Sequence, residues 1–161
     1  MSRSTAQNVP QSRSPATSSA PRPVMLATLS VRVDIAAERM AIESALEAGV
    51  SLIVANMLTL RPYPATLMLA REHTILPREE DLDAVRATAS RAVGLGIRTE
   101  LMRVSSPRPV RALIEIAGER QIGLLVFGPD RSRIPRYRFR HAARAVRRDA
   151  PCLVWIAGDL A

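Results

Sequence analysis

The residues best suited to chemistry in this sequence follow a single glycine near its carboxyl end. Gly128 ends an apolar run, and eight arginines lie between it and Asp149. They stand at positions 131, 133, 136, 138, 140, 144, 147 and 148. A glycine after a buried strand lets backbone N–H groups approach a phosphate, and guanidinium groups bind phosphate oxygens bidentately. The stretch therefore predicts either an anion site or a basic surface.

The second half of this stretch, residues 135–148, has the spacing of a helix with a basic face. The arginines at 136, 140, 144 and 148 recur every fourth residue and share that face. A solvated charged face is the ordinary interpretation of such a run. The alternative is a surface for nucleic acid or an acidic partner, because like charges at this spacing repel and an anion relieves them. Tyr137 and Phe139 alone do not make a stacking platform for bases.

Catalytic and metal-binding residues are not expected elsewhere in the chain. His73, His141 and Cys152 show neither the spacing of a metal site nor that of a catalytic triad. The acids at 79, 80, 81 and 83 fall at a predicted helix start, where negative charge stabilises the helix. We therefore expect a protein that is not an enzyme and holds no metal.

The positive charge of the chain is unevenly distributed. The formal net charge is +8, yet residues 24–127 hold twelve arginines and twelve acids. The excess belongs to the first 23 residues and to residues 128–149. All basic residues are arginine, which codon bias explains without any phosphate site. The single Cys152 forms no internal disulfide, and no apolar run approaches the roughly 20 residues of a membrane span, so a cytoplasmic protein without a membrane segment is expected.

The order of the predicted elements defines the fold class. Residues 1–23 are rich in Ser, Pro and Arg and predict a disordered basic tail, because they have too little apolar surface to bury. Apolar runs at 24–29, 51–58, 122–127 and 152–157, and an alternating run at 97–104, predict five strands. Helical spacing separates them, and helices are predicted over 34–48, 78–93, 107–120 and 135–148, with a helical turn at 65–72. Residues 24–158 are therefore predicted to form one α/β domain, a doubly wound, Rossmann-like parallel sheet with helices on both faces.

Three stretches of this domain resemble the universal stress protein family. They are AIESALEAGVSLIVANML (41–58), SSPRPVRALIEIAGERQIGLLVFGPD (105–130) and RDAPCLVWIA (148–157), and the resemblance covers roughly Val24 to Ala157. It implies an adenine-nucleotide alpha-hydrolase-like sheet of strand order 3-2-1-4-5. It also implies a homodimer that pairs through the C-terminal strand, where Leu153 and Trp155 alternate with other apolar residues.

The ATP-binding pattern of that family is degenerate in this sequence. Members that bind ATP carry Val-Asp-Gly after the first strand, where this chain has Thr28, Leu29 and Ser30. Their phosphate loop reads G-x-x-G, nine residues, then G-S or G-T, and it aligns here with Gly128, Arg131, His141 and Ala142. Only the first glycine is kept. ATP binding in the family's mode is therefore not expected, and no cofactor is predicted.

The resulting functional hypothesis is a non-enzymatic stress-response or regulatory protein. One alternative is a nucleotide-binding switch that still uses the loop after Gly128. Another is an anion, nucleic-acid or acidic-partner binder acting through the arginine-rich last helix. The candidate anion- or nucleotide-binding residues are Gly128, Arg131, Arg133 and Arg140. A site built on Arg131 and Arg133 would bind phosphate without selecting adenine, since Leu29 offers no acidic anchor.

Overall fold

The computed structural model describes residues 20–60 and 77–158. The strands in this part of the chain are β1 (Val24–Leu29), β2 (Leu52–Thr59), β3 (Thr99–Ser106), β4 (Leu124–Phe127) and β5 (Leu153–Ile156). The helices are α1 (Ile35–Ala48), α2 (Glu79–Gly94), α3 (Pro109–Glu119) and α4 (Arg136–Asp149). Residues 1–19 of the tail predicted at 1–23, the helical turn predicted at 65–72 and His73 lie outside the described residues.

All five strands are parallel and lie in the order β3-β2-β1-β4-β5. The predicted α/β class and strand order are therefore confirmed. Buried residues of α1 and α2 share one core layer, and those of α3 and α4 share the layer on the other face. Right-handed crossovers produce this arrangement. Strands are added in one direction from β1 to β3 and in the other direction from β4 to β5, so the helices of the two halves lie on opposite faces of the sheet.

Strand burial explains the apolar runs in the sequence. Every residue of β1 is buried, because the strand has paired neighbours on both edges and helices on both faces. The sheet ends at β3 and β5, and both edge strands expose apolar side chains. Leu101 of β3 is 46% exposed and Leu153 of β5 is 75% exposed. An exposed apolar edge of this kind is a surface that another chain can cover.

Two helix starts show how local sequence fixes the elements. Asp34 caps α1, where its carboxylate accepts hydrogen bonds from the backbone N–H groups of Ala36 and Ala37. The start predicted for α3 at Pro107 is wrong. Ser106 still belongs to β3, and Pro109 occupies the first turn of the helix. Both prolines suit a helix start, and the sheet keeps residues up to Ser106 because they pair with β2.

Candidate anion-binding cleft

A cleft of about 610 Å³ opens at the carboxyl edge of the sheet. Its walls are the segment after β1, the ends of β2 and β3, the start of α2 and the β4–α4 loop. Among the described residues, four arginines line it, namely Arg78, Arg103, Arg133 and Arg138, and Asp81 is the one acid. Ligands of doubly wound sheets bind outside the carboxyl ends of the strands, so the cleft lies where the topology places a site.

Asp81 holds one of these arginines in place. Its side chain is 4% exposed, and its carboxylate lies 3.4 Å from the Arg133 guanidinium. The same carboxylate accepts a hydrogen bond from the backbone N–H of Arg32 at 3.1 Å. Arg133 also pairs with Glu80 at 3.4 Å. Two acids at the start of α2 therefore offset most of the charge that Arg133 brings to the cleft.

The other three arginines of the cleft are not neutralised in this way. Within residues 20–60 and 77–158, Arg78, Arg103 and Arg138 form no ion pair. Arg103 stands near the end of β3, opposite Asn56 of β2. Arg138 belongs to the first turn of α4, where the helix dipole also favours an anion. The cleft consequently carries a net positive charge that an anionic ligand would offset.

Backbone N–H groups of the β4–α4 loop donate hydrogen bonds to acceptors within the same loop. Asp130 accepts hydrogen bonds from the backbone N–H and the hydroxyl of Ser132, at 2.9 and 2.7 Å, and pairs with Arg32 at 2.6 Å. The backbone N–H of Arg133 donates to the Asp130 carbonyl. Partial burial raises the pKa of the Asp130 carboxyl, but Ser132 and Arg32 together outweigh that effect and lower it below its ordinary value. A phosphate cradle built from backbone amides is therefore largely closed, since these donors already have acceptors.

Gly128 serves the packing of α1. A Cβ at this position would overlap the Cβ of Ala37, and Ala37 is fully buried. The carbonyl of Gly128 also accepts a hydrogen bond from the backbone N–H of Asp34, the cap of α1. Gly128 is not among the residues that line the cleft. The close approach that favours glycine here is an approach between a strand end and a helix.

Arg131 points away from the cleft. Its guanidinium lies 5.3 Å from the centre of the Phe139 ring and donates a hydrogen bond to the carbonyl of Gly158 at 3.4 Å. It does not line the cleft. Of the two arginines predicted to form a changed anion site, the structure therefore brings only Arg133 to the cleft, and a cation–π contact accounts for the position of Arg131.

The remaining predicted positions belong to the body of α4. Arg140 is exposed and lies outside the cleft lining. His141 lines a different groove, between α3 and α4, and Ala142 is buried in the core. Because α4 already begins at Arg136, residues 141 and 142 stand in its second turn. Neither residue lines the cleft.

The segment after β1 is fixed by polar contacts to the chain itself. Ser30 has a left-handed backbone with φ of 58°. Its N–H donates to the side-chain carbonyl of Asn56 and its hydroxyl donates to the Met57 carbonyl, both at 3.2 Å. Leu29, the residue in the place of the family's acid, lines the cleft floor and is 9% exposed. The aliphatic side chain of Leu29 offers no hydrogen bond to a ligand in the cleft.

Sequence reasoning identified Arg133 but missed Arg78, Arg103 and Asp81. Arg78 immediately precedes α2, and Arg103 lies in a strand that was predicted to end at residue 104. The position of these residues in the sequence could have revealed them. In a parallel sheet, the carboxyl ends of the strands and the starts of the following helices meet at one edge, so side chains at these positions lie close together. Arg138 was noticed only as part of a basic run.

The other titratable groups of the described residues show no sign of catalytic chemistry. Glu38 accepts hydrogen bonds from Arg91 and Thr88, and its pKa is lowered chiefly by Arg91, against the effect of burial. Burial raises the pKa of the Cys152 thiol, the opposite of what an activated nucleophile needs. In residues 20–60 and 77–158, no cluster of three or more His, Cys, Asp or Glu side chains suits a metal ion. No helix in that range is long and apolar enough to cross a membrane.

The fold and the cleft together define a doubly wound α/β domain with an open cleft at the carboxyl edge of its sheet. The chain belongs to the universal stress protein family, whose model matches residues 21–158. No curated protein sequence matches it.

Three similar solved structures contain adenine nucleotides. The universal stress protein from Archaeoglobus fulgidus in complex with dAMP is 23% identical, with a TM-score of 0.53, over 84% of this chain and 96% of that one. A universal stress protein in complex with cAMP is 21% identical, with a TM-score of 0.58, over 85% and 97%. An Arabidopsis thaliana family member with AMP bound is 11% identical, with a TM-score of 0.51, over 83% and 90%. At these identities the likeness supports the fold.

Proposed function

We propose that this protein is a non-catalytic stress-response regulator whose cleft binds a phosphate-bearing anion through arginine side chains. The binding does not use the glycine loop of ATP-binding relatives. The observation that carries this proposal is the set Arg78, Arg103 and Arg138, which faces one cleft and has no ion-pair partner among the described residues. Guanidinium groups suit phosphate oxygens in both charge and geometry.

The cleft also has features that disfavour selection of adenine. Leu29 offers neither charge nor a hydrogen-bond acceptor, and Asn56 is already bonded to the Ser30 backbone. The volume of about 610 Å³ would admit a nucleotide, and three structural neighbours contain one. A nucleotide switch is therefore the second candidate function. In that case the adenine and ribose would add to affinity, whereas in our proposal the phosphate charge accounts for most of it.

A thermal-shift panel separates these possibilities. The panel contains inorganic phosphate, pyrophosphate, AMP, cAMP, ATP and adenosine, each at equal concentration and ionic strength. Our proposal predicts a rise in melting temperature that follows phosphate charge, with pyrophosphate close to ATP and adenosine without effect. A rise with ATP or AMP but none with pyrophosphate supports the nucleotide switch instead. No rise with any compound contradicts both.

We further propose that two copies of the domain pair through β5. The strand lies at the edge of the sheet, and Leu153 is 75% exposed there. Val154 and Trp155 on the same strand are partly buried, so the edge is apolar along most of its length. Adding a second β5 would satisfy the free backbone groups of the edge and cover Leu153. A regulator of this kind would have one cleft in each protomer.

A further inference from the structure

A second groove, of about 790 Å³, runs between α3 and α4 and is separate in character from the cleft. Its floor and walls are mostly apolar and comprise Pro107, Pro109, Val110, Ile114, Tyr137 and Ala145. Tyr137 is 73% exposed, and its hydroxyl group forms no hydrogen bond within the described part of the chain. A continuous apolar groove with a polar rim on a protein surface is characteristic of a site that another molecule covers.

The charge around this groove is positive. Arg108 and Arg138 line it and form no ion pair within the described part of the chain. The two acids that line it are already engaged, Glu115 with Arg111 at 3.0 Å and Asp149 with Arg148 at 2.8 Å. His141 adds a further nitrogen donor, and Arg144 follows three residues later on the same helix.

The shape of the groove suits an acidic helix better than a nucleic acid. It lies between two helices that pack on the same face of the sheet, with small residues such as Ala145 at its base. A groove between neighbouring helices accepts the ridge of a third helix. A nucleic acid would need several exposed aromatic rings for its bases, and Tyr137 is the one aromatic residue that lines the groove within residues 20–60 and 77–158. The α3 wall is 11 residues long, about 16 Å, enough to face three turns of a bound helix.

We propose that the groove between α3 and α4 docks an acidic amphipathic helix from a partner protein. The apolar face of that helix would pack on Val110, Ile114 and Ala145, and its carboxylates would lie beside Arg108 and Arg138. Helix-in-groove binding of this type uses apolar anchors at i, i+3, i+4 and i+7. The groove shares Arg138 with the anion cleft, whereas Arg108, Ile114 and Ala145 line only the groove, so variants of these three residues test the inference without changing the cleft.

The test uses a fluorescein-labelled synthetic peptide of about 16 residues, with Leu and Phe at helical anchor spacing and Glu at the remaining positions. Its binding to the full chain is measured by fluorescence anisotropy at physiological salt. We expect a dissociation constant in the micromolar range. We also expect chemical-shift changes in the amide spectrum confined to residues around Val110, Ile114 and Ala145. A control peptide with Lys in place of Glu should bind at least about tenfold more weakly.

Two variants, each with a matched control, show whether the peptide binds in the groove. Ala145→Glu places bulk and negative charge at the base of the groove and should weaken binding at least about tenfold, whereas Ala87→Glu, at a half-buried position of α2 on the opposite face, should not. Arg108→Glu should weaken binding about fivefold, and Arg98→Glu at the far end of the sheet serves as its control. Circular dichroism verifies that each variant is folded.

Several results would overturn the proposal. They are no binding of the acidic peptide below about 500 µM, equal binding of the Lys peptide, or shift changes that map to β5 or to the cleft. Tighter binding of a labelled single-stranded oligouridine of about 15 nucleotides, abolished by Ala145→Glu, would assign the groove to nucleic acid instead. Self-association of the unlabelled protein that Ala145→Glu alone abolishes would assign it to a second copy of this chain.

Discussion

Arg133 in the β4–α4 loop and Asp81 in the first turn of α2 form an ion pair across the carboxyl edge of the sheet. Their charged groups are 3.4 Å apart, and the two side chains are 21% and 4% exposed. The residues are 52 positions apart in sequence, so the pair ties together two segments that no strand pairing connects. It also means that Asp81 opposes the charge of the cleft that we propose to bind an anion.

Replacing Asp81 should therefore change stability and anion affinity in opposite directions. Asp81→Asn keeps an oxygen for the Arg32 N–H but removes the charge that balances Arg133. We expect the free energy of unfolding in urea to fall by about 1–3 kcal/mol, because a partly buried guanidinium loses its counter-charge. Affinity for pyrophosphate should rise about three- to tenfold as Arg133 becomes available.

Asp83 provides the matched control for this change. It lies two residues further along α2, is 63% exposed and pairs with Arg86 at 2.7 Å. Asp83→Asn should alter stability by no more than about 0.5 kcal/mol and leave pyrophosphate affinity unchanged. If Asp81→Asn weakens pyrophosphate binding in calorimetry while the protein stays folded, Arg133 does not contribute to the anion site.

Gly128 gives a prediction about packing. Gly128→Ala introduces a methyl group where the Ala37 side chain already lies, so α1 or the end of β4 must shift. We expect a loss of about 1–3 kcal/mol in the free energy of unfolding, measured by urea titration. Gly94→Ala, at the end of α2 with no atom near the added methyl, should be neutral or stabilising. Equal stability of the two variants would contradict the packing role of Gly128.

The contact between α1 and α2 should make stability depend on pH. Glu38 accepts hydrogen bonds from Arg91 at 2.6 and 2.7 Å and from Thr88 at 2.7 Å. Arg91 lowers the pKa of Glu38, so the unfolded chain binds the proton more readily than the folded chain. The stabilisation is present above the ordinary carboxylate pKa of about 4.3 and is lost as pH falls through the lower folded value.

Glu38→Gln isolates this effect in urea unfolding followed at pH 7 and at about pH 3. The variant should be less stable than the wild type by roughly 1 kcal/mol at pH 7, and the difference should shrink towards the lower pH. Glu47→Gln, an exposed position of the same helix, is the control and should give a small difference at both values. A Glu38→Gln deficit that stays constant over this range would contradict the pKa direction.

The edge of β5 predicts the oligomeric state. Leu153→Lys adds charge to the edge that we propose to pair, and it should convert a dimer into a monomer in sedimentation velocity. Leu101→Lys makes the same change on β3, the opposite edge, where the leucine is 46% exposed, and it should leave the dimer intact. A wild-type monomer, or a dimer that only Leu101→Lys disrupts, would argue against pairing through β5.

The fold was predictable because its signals are local. Each buried strand is an apolar run, as in the wholly buried β1, and Asp34 and Gly49 mark the two ends of α1. The errors fell on boundaries where pairing overrides local preference. The predicted β3 at 97–104 begins at Thr99 and continues to Ser106, because its register with β2 continues to Thr59. A proline at residue 107 therefore marks the strand end and not the helix start.

The cleft was only partly predictable because its residues meet through topology. Gly128, Arg131 and Arg140 were candidates from one contiguous stretch of sequence, and none of the three lines the cleft in the structure. Arg103 comes from a distant strand, and Asp81 looked like an ordinary dipole-stabilising acid at a helix start. The burial of Asp81 and its ion pair with Arg133 depend on how α2 packs against the β4–α4 loop. Residue spacing along the sequence does not predict that packing.

Isothermal titration of pyrophosphate into three forms of the protein tests the anion cleft most directly. The forms are the wild type, Arg103→Gln/Arg138→Gln, and Arg98→Gln as the control with an exposed arginine at the amino edge of the sheet. We predict saturable binding at one site per protomer that the double variant weakens at least about tenfold and the control leaves unchanged. Equal binding by all three forms, or binding of ATP with none of pyrophosphate, would contradict an anion site built on arginine side chains.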